Sequence, residues 1–584
     1  MKRLFAYIRR YRSWYAAAVA CAVAFTVLQM LIPVFVRDAI DAAQRGQDQR
    51  LVHFTECLIA VAIPMGLCRC LSRVITFNTG RDIEYGLRNE LFAHLARLGP
   101  DFYERIKTGD LMSRVINDLT AVRMMVGMGV LSFAETPLTY LIALAFMFSL
   151  SVRLSLATLA PYAVLFVAIR LLTRVLMERS FKVQEGLGTI GAKVQESLSG
   201  IHVVKAYTLE HREAERFRHI NDHYNAQGLA LARARGLMMP MIRGTVAASM
   251  MILLTYGGSL IEAGKLSIAD LAAFMLYLSR LAWPTFQIGW MISIYQRAKA
   301  SMKRLEEIFG APANELVNGS ATRLDVAGAV EWDHVSFSYF ARDGVDATAA
   351  GRPYALKDIS VRVPAGGKLA IVGRTGSGKS TMVKLLARLM EPTRGQVTLD
   401  GRDISALPLG ALRKTIGLVP QDPTLFSDTI GRNIAFGRTD APLEELENTA
   451  RIAGLEGDIA TMPHGLNTIV GEHGMSLSGG QKQRVTIARL LIYNPAVVVL
   501  DDALSSVDTE TERAVLQSLG ETVKGRTTIV VAHRASTVRD ADEIVVLDDG
   551  AVAERGTHEE LMAMRGIYAE LFRRQLLEEE LARY

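Results

Sequence analysis

Six stretches in the first half of the chain are apolar for long enough to cross a bilayer as helices: residues 14–36, 51–77, 124–150, 154–172, 245–261 and 271–294. A helix needs about 20 mostly apolar residues to cover the hydrocarbon core. An even number of crossings returns the chain to the side it started from. The connectors alternate between short links at 37–50, 151–153 and 262–270 and long ones at 78–123 and 173–244. The long links are charged with helical periodicity, so they are expected to be helices running on into water rather than structureless loops. After a junction at 310–326 of mixed polar and small residues, the pattern shortens to β-rich runs such as 368–372 and 496–500. The expected fold is a helical membrane domain of six spans, residues 1–310, a linker, 311–328, and an α/β domain, 329–584.

Composition agrees with two unlike halves. Of 584 residues, 50% are hydrophobic and 22% charged, which excludes a disordered chain and a small disulfide scaffold. Cys21, Cys57, Cys68 and Cys70 lie inside apolar runs without metal-ligand spacing and are expected to be small packing residues. The net charge of +6 comes from Lys and Arg that often flank apolar runs, as at membrane boundaries. Lys2, Arg3, Arg9, Arg10 and Arg12 precede the first span, with Trp14 and Tyr15 at its edge, which places the N-terminus in the cytoplasm. That run is longer than a signal peptide's apolar core and is followed by others like it, so it is expected to stay as a span. Glu56, Arg69, Arg73 and Glu135 fall within or beside spans and are expected near span ends, where long side chains reach the interface. Two punctuated segments, 101–110 after Gly99-Pro100 and 200–210, are expected to form tips at the far ends of the long links.

The second half carries nucleotide chemistry. The apolar strand 368–372 runs directly into Gly373-Arg374-Thr375-Gly376-Ser377-Gly378-Lys379-Ser380, followed by a helical run from Thr381. This G-x-x-x-x-G-K-[ST] loop between strand and helix is a phosphate cradle. Its backbone N–H groups and the helix N-terminus face the phosphates, Lys379 reaches the β and γ phosphates, and Ser380 binds Mg²⁺. A second apolar strand ends in Asp501 and Asp502. Asp501 is the expected Mg²⁺ carboxylate, and Asp502 stands where a base or water-positioning group for hydrolysis belongs.

With Leu477-Ser478-Gly479-Gly480-Gln481 downstream of the loop and ahead of Asp501, the chain resembles the ATP-binding cassette (ABC) transporters, in the exporter half-transporter architecture. The resemblance covers the whole chain and implies further roles. Tyr339 corresponds to the aromatic that stacks on adenine. Gln421 corresponds to the Q-loop glutamine, both catalytic and a metal ligand. Residues 505–508 correspond to the D-loop, His533 to the switch histidine, and 471–474 to a cross-interface segment. It also implies that Thr381 joins the phosphate cradle, that Ser478, Gly479, Gly480 and Gln481 bind nucleotide held by a partner, and that the tips around Phe102 and Tyr207 couple the two domains.

Two features depart from the family pattern. A polar, small-residue insert, 341–351, separates Tyr339 from the loop. Asp502 stands where hydrolytic sites of the family carry Glu, one methylene longer, so its carboxylate is drawn back by more than about 1 Å from the attacking water, a displacement that can cost about 10²-fold in rate. Since each site of the family forms between two nucleotide domains, the expectation is a heterodimer in which a second half-transporter supplies the better acid; a homodimer that hydrolyses slowly is the alternative. The expected function is ATP-driven export of amphipathic drugs or lipids across the cell membrane by alternating access, with ATP and Mg²⁺ as cofactors. An importer on the exporter fold, such as one for metal chelates, and an ATP-gated regulatory subunit or channel remain as alternatives. Nucleic acid is not an expected partner, since such a protein has no use for lipid-length spans.

Overall fold

The computed structural model describes residues 2–312, 323–339, 354–471, 474, 476–532 and 538–581. The expected insert at 341–351, His533, Glu472 and His473 lie outside the described residues. The chain divides into two compact units, Met1–Ala96 with Lys107–Ala311, and Arg97–Ile106 with Pro312–Tyr584.

The first unit is helical. Among the described residues five helices are long and apolar enough to cross a membrane: Arg12–Gln44, Asp48–Leu95, Thr108–Leu150, Val152–Ser199 and Glu210–Glu262. The long links are indeed continuations of these helices. The sixth expected span falls in Ile268–Phe309, a helix of 42 residues. Asp270, Arg280 and Gln287 dilute its apolar run, so the count of six is not confirmed. This helix carries much of the bundle core, with Phe274, Tyr277, Leu278 and Leu281 at or below 1% exposure. Buried tyrosines tie helix to helix by donating to backbone carbonyls: Tyr277 to Met30 and Tyr162 to Leu278, both at 2.9 Å, and Tyr15 to Val126 at 2.8 Å. Pro240 lacks the N–H that would continue the ladder, and the helix is interrupted at Leu237 between Glu210–Gly236 and Met238–Glu262.

Several expectations change here. Of the four cysteines expected to pack, Cys21, Cys57 and Cys68 are half-buried and Cys70 is exposed. Glu56 is exposed, but Arg69 does not reach a span end, because its guanidinium lies 4.8 Å from the ring centre of Phe25, midway along residues 14–36. The expected tips are short helices, Pro100–Arg105, started by Gly99 with Pro at its first position, and Ile201–Ala206.

The second unit holds two sheets. Strands β1 (Val330–Phe337), β2 (Leu356–Val363), β4 (Arg394–Leu399) and β5 (Arg402–Asp403) form an antiparallel sheet ordered β2-β1-β4-β5. The other sheet is ordered β10-β9-β3-β8-β7-β6, from β3 (Lys368–Gly373), β6 (Ile416–Val419), β7 (Val497–Asp501), β8 (Thr527–Val531), β9 (Glu543–Asp548) and β10 (Ala551–Gly556). All its pairings are parallel except β9 with β10. Both faces are covered, so the strands read as continuous apolar runs. Alternate residues enter opposite cores: Ala370, Val498, Leu500 and Val530 on the helical side, Leu369, Ile371, Val499 and Ile529 on the side of the antiparallel sheet with Trp332 and Phe337.

Candidate active site

Strands β3, β8, β7 and β6 are neighbours and parallel, so their carboxyl ends share one edge, where open α/β sheets bind ligands. The predicted residues leave from that edge. Residues 373–380 follow β3, Asp501 ends β7, Gln421 lies two residues past β6, exposed to solvent, and His533 would follow β8.

Gly378, at the start of helix Lys379–Leu386, has φ +102°, and a Cβ there would stand 2.6 Å from Leu356 Cδ2 and 2.7 Å from Ala355 O. Only glycine fits that turn. It lets the loop close over the helix N-terminus while Arg374, Thr375 and Gly376 stay exposed. Lys379 is buried and its Nζ donates to Gly373 O and Arg374 O, each at 2.9 Å. Burial pushes its pKa down, against the opposing pull of the Asp502 and Asp501 charges. The buried Ser377 hydroxyl has no hydrogen-bond partner among the described residues, which is what a cradle built for phosphate oxygens leaves open. Ser380 Oγ donates to Asp501 Oδ1 at 3.0 Å. Burial pushes the Asp501 carboxyl up, opposed by that hydrogen bond. A hydroxyl and a buried carboxylate held together in this way are a donor set suited to Mg²⁺.

Asp502 is half-buried, with φ +50° and its N–H donating to Val531 O at 2.9 Å. Its charge is felt by both Lys379 and Asp501, so it faces the phosphate loop. Tyr339 is 44% exposed, packs edge-on against Phe337 at 4.9 Å, and shares a hydrogen bond of 2.9 Å with the Thr381 hydroxyl. An exposed ring is thereby fixed beside the first turn after the loop.

Helix Gly479–Tyr493 begins at the predicted signature. Ser478 caps it, accepting from Gln481 N at 3.2 Å while Ser478 N donates to Gln481 Oε1 at 2.9 Å, a reciprocal capping box. Three residues, Asp458, Gln483 and Gly480, make contacts not anticipated from the sequence. Asp458 accepts from Gln481 Nε2 at 2.7 Å and pairs with Arg484 at 2.8 Å. Gln483, 2% exposed, donates to Ser505 Oγ and accepts from Ser506 N, both at 2.9 Å. A Cβ on Gly480 would stand 2.9 Å from Ser506 O. The signature helix and residues 505–507 are therefore packed and hydrogen-bonded together, while Asp508 caps the following helix by accepting from Thr511 N at 2.9 Å. The second glutamine of Gly-Gly-Gln-Lys-Gln was a visible signal; Asp458, in a short helix of its own, gave none.

Comparison with known proteins agrees with this arrangement. Residues 15–285 match the ABC transporter transmembrane region and residues 356–505 the ABC transporter domain. The chain is 36% identical to the "Probable multidrug resistance ABC transporter ATP-binding/permease protein YheI" of Bacillus subtilis, over 99% of this chain and 98% of that protein. It is 34% identical to the "Multidrug resistance-like ATP-binding protein MdlA" of Escherichia coli, over 99% and 97%. A solved bacterial Atm1-family ABC exporter with ATP bound superposes with a TM-score of 0.78 at 29% identity, covering 97% of this chain and 98% of that one. Full-length similarity, a membrane-spanning unit and a phosphate loop facing an aspartate pair lead to one assignment: the chain belongs to the ABC transporter family, as an exporter half-transporter that couples ATP hydrolysis to transport.

Proposed function

We propose that this half-transporter exports amphipathic small molecules, drug-like or lipid-like, across the cell membrane by alternating access, paired with a second half-transporter that carries the hydrolytic glutamate. The observation that carries the reading is the unequal quality of the two halves of its nucleotide machinery: a capped, doubly braced signature at Ser478–Gln481 and a short acid at Asp502. Relatives named for multidrug resistance support the substrate class.

In this reading Tyr339 stacks on adenine and residues 373–381 hold the phosphates, while Ser380, Asp501 and Gln421 would hold Mg²⁺, which would supply charge neutralisation. Lys379 exchanges its two loop carbonyls for phosphate oxygens. Ser478, with Gly479, Gly480, Gln481 and the helix N-terminus, meets the γ-phosphate bound on the partner. Asp502, His533 and Gln421 surround the attacking water on this chain's own face. Closure around ATP is passed to the spans through residues 101–110 and 200–210, and hydrolysis resets it. The domains run 1–310, 311–328 and 329–584, with the N-terminus and the nucleotide domain in the cytoplasm and Ile268–Phe309 supplying a sixth span.

The test is transport in sealed inside-out vesicles holding the assembled transporter. ATP is expected to drive a fluorescent amphipath inward against its gradient. ATP-independent equilibration would indicate a channel, and accumulation only in right-side-out vesicles an importer; either result overturns export.

A further inference from the structure

Charged side chains lie at a depth of the membrane unit where charge usually faces a cavity or a counter-charge. Phe25 is 11 residues from either end of the uncharged run 14–36, about 16 Å from each boundary, and Arg69 sits over its ring. A second ruler agrees. At the inner end of that run Tyr15 donates to Val126 O, and at the same level Gly127 touches Gly80, where a Cβ would stand 3.3 Å from Gly127 Cα. Counted along the helices from this level, Glu135 lies about 12 Å into the membrane and Arg69 about 16 Å, with Arg73 one turn below.

Arg69 and Arg73, four residues apart, share one face of helix Asp48–Leu95 and are both exposed. Beyond the Phe25 ring, neither side chain has a hydrogen-bond or ion-pair partner among the described residues. Both act electrostatically on Glu135, which is half-buried. Two guanidinium groups against one carboxylate leave a positive charge uncompensated at mid-membrane. Phe77, one turn on from Arg73 on the same face of the helix, is exposed and offers apolar surface to a hydrocarbon tail.

We infer that Arg69 and Arg73, beside Glu135, bind the anionic head group of an amphipathic substrate, so that the compounds exported are amphipathic anions. This rests on the transport reading above and sharpens its substrate class.

The test uses the transporter in its native assembly and two dansyl-labelled dodecyl probes, one ending in phosphate and one in phosphocholine. Wild type is expected to bind the phosphate probe about tenfold more tightly than the phosphocholine probe, the value of one unshared charge contact. Arg69→Gln with Arg73→Gln should abolish that preference, Arg69→Lys with Arg73→Lys should keep it, and Glu135→Gln should tighten the phosphate probe about threefold. Equal binding of both probes by wild type, a preference that survives the double glutamine variant, or weaker phosphate binding by Glu135→Gln would overturn the inference. Failure of the transport reading would look different: no ATP-driven accumulation of any amphipath, with the charge preference in binding still present.

Discussion

Asp502 adopts φ +50°, in the left-handed region that aspartate tolerates better than longer side chains because it bonds locally. Backbone and chemistry thus pull against each other at this position: the turn favours the short acid, and hydrolysis favours the long one. Asp502→Glu is expected to raise the ATPase rate of the assembled transporter by more than about twofold, since the carboxylate regains its missing reach; a rate within twofold of wild type would show that reach is not what limits this site. Gly480 poses the opposite problem, one of space. Gly480→Ala places a methyl against Ser506 O and should cost about 1–3 kcal/mol in over-packing, measurable as a lowered unfolding midpoint in denaturant. The phosphate loop and Asp501 were legible from the sequence because their chemistry demands fixed spacing. Arg69 was not, because hydropathy gives the length of a span but not its register against Phe25.

Among the elements, helix Gly479–Tyr493 is the one whose start matters most. It begins at Gly479, with the signature as its first turn. The reason is the Ser478 capping box, which satisfies two end groups and lets the glycines enter the helix. Asp458 then fixes Gln481 and Arg484 from outside. Asp458→Ala removes a charge-assisted hydrogen bond and an ion pair, so it is expected to lower ATP turnover about tenfold. ATP affinity at this chain's own phosphate loop should stay unchanged, and Asp458→Glu should restore part of the rate. A purely structural role would instead lower nucleotide affinity and turnover together. Helix Ile268–Phe309 shows the converse limit of pattern reading: it buries Phe274, Tyr277, Leu278 and Leu281 in the bundle, while the half-buried Arg280 and Gln287 dilute the apolar run by which a span is read.

At the scale of the whole molecule, two architectures that the chain announces separately are joined: long helices that span lipid and continue beyond it, and a parallel sheet whose carboxyl edge gathers Lys379, Ser380, Asp501 and Asp502. The pattern of apolar runs was enough to find both, since lipid length and buried-strand alternation are set by geometry. In the proposed function they are joined through two nucleotides shared with a partner: this chain's phosphate loop holds one, and its signature meets the one bound on the partner. The most direct measurement is the ATPase rate of the assembled transporter with one of two substitutions in this chain. Ser478→Arg is expected to reduce turnover by about 10² or more, because it removes the clamp on the partner's nucleotide, while Asp502→Asn should leave it within about twofold. If Asp502→Asn instead stops turnover and Ser478→Arg spares it, hydrolysis proceeds on this chain's own acid and the account is wrong.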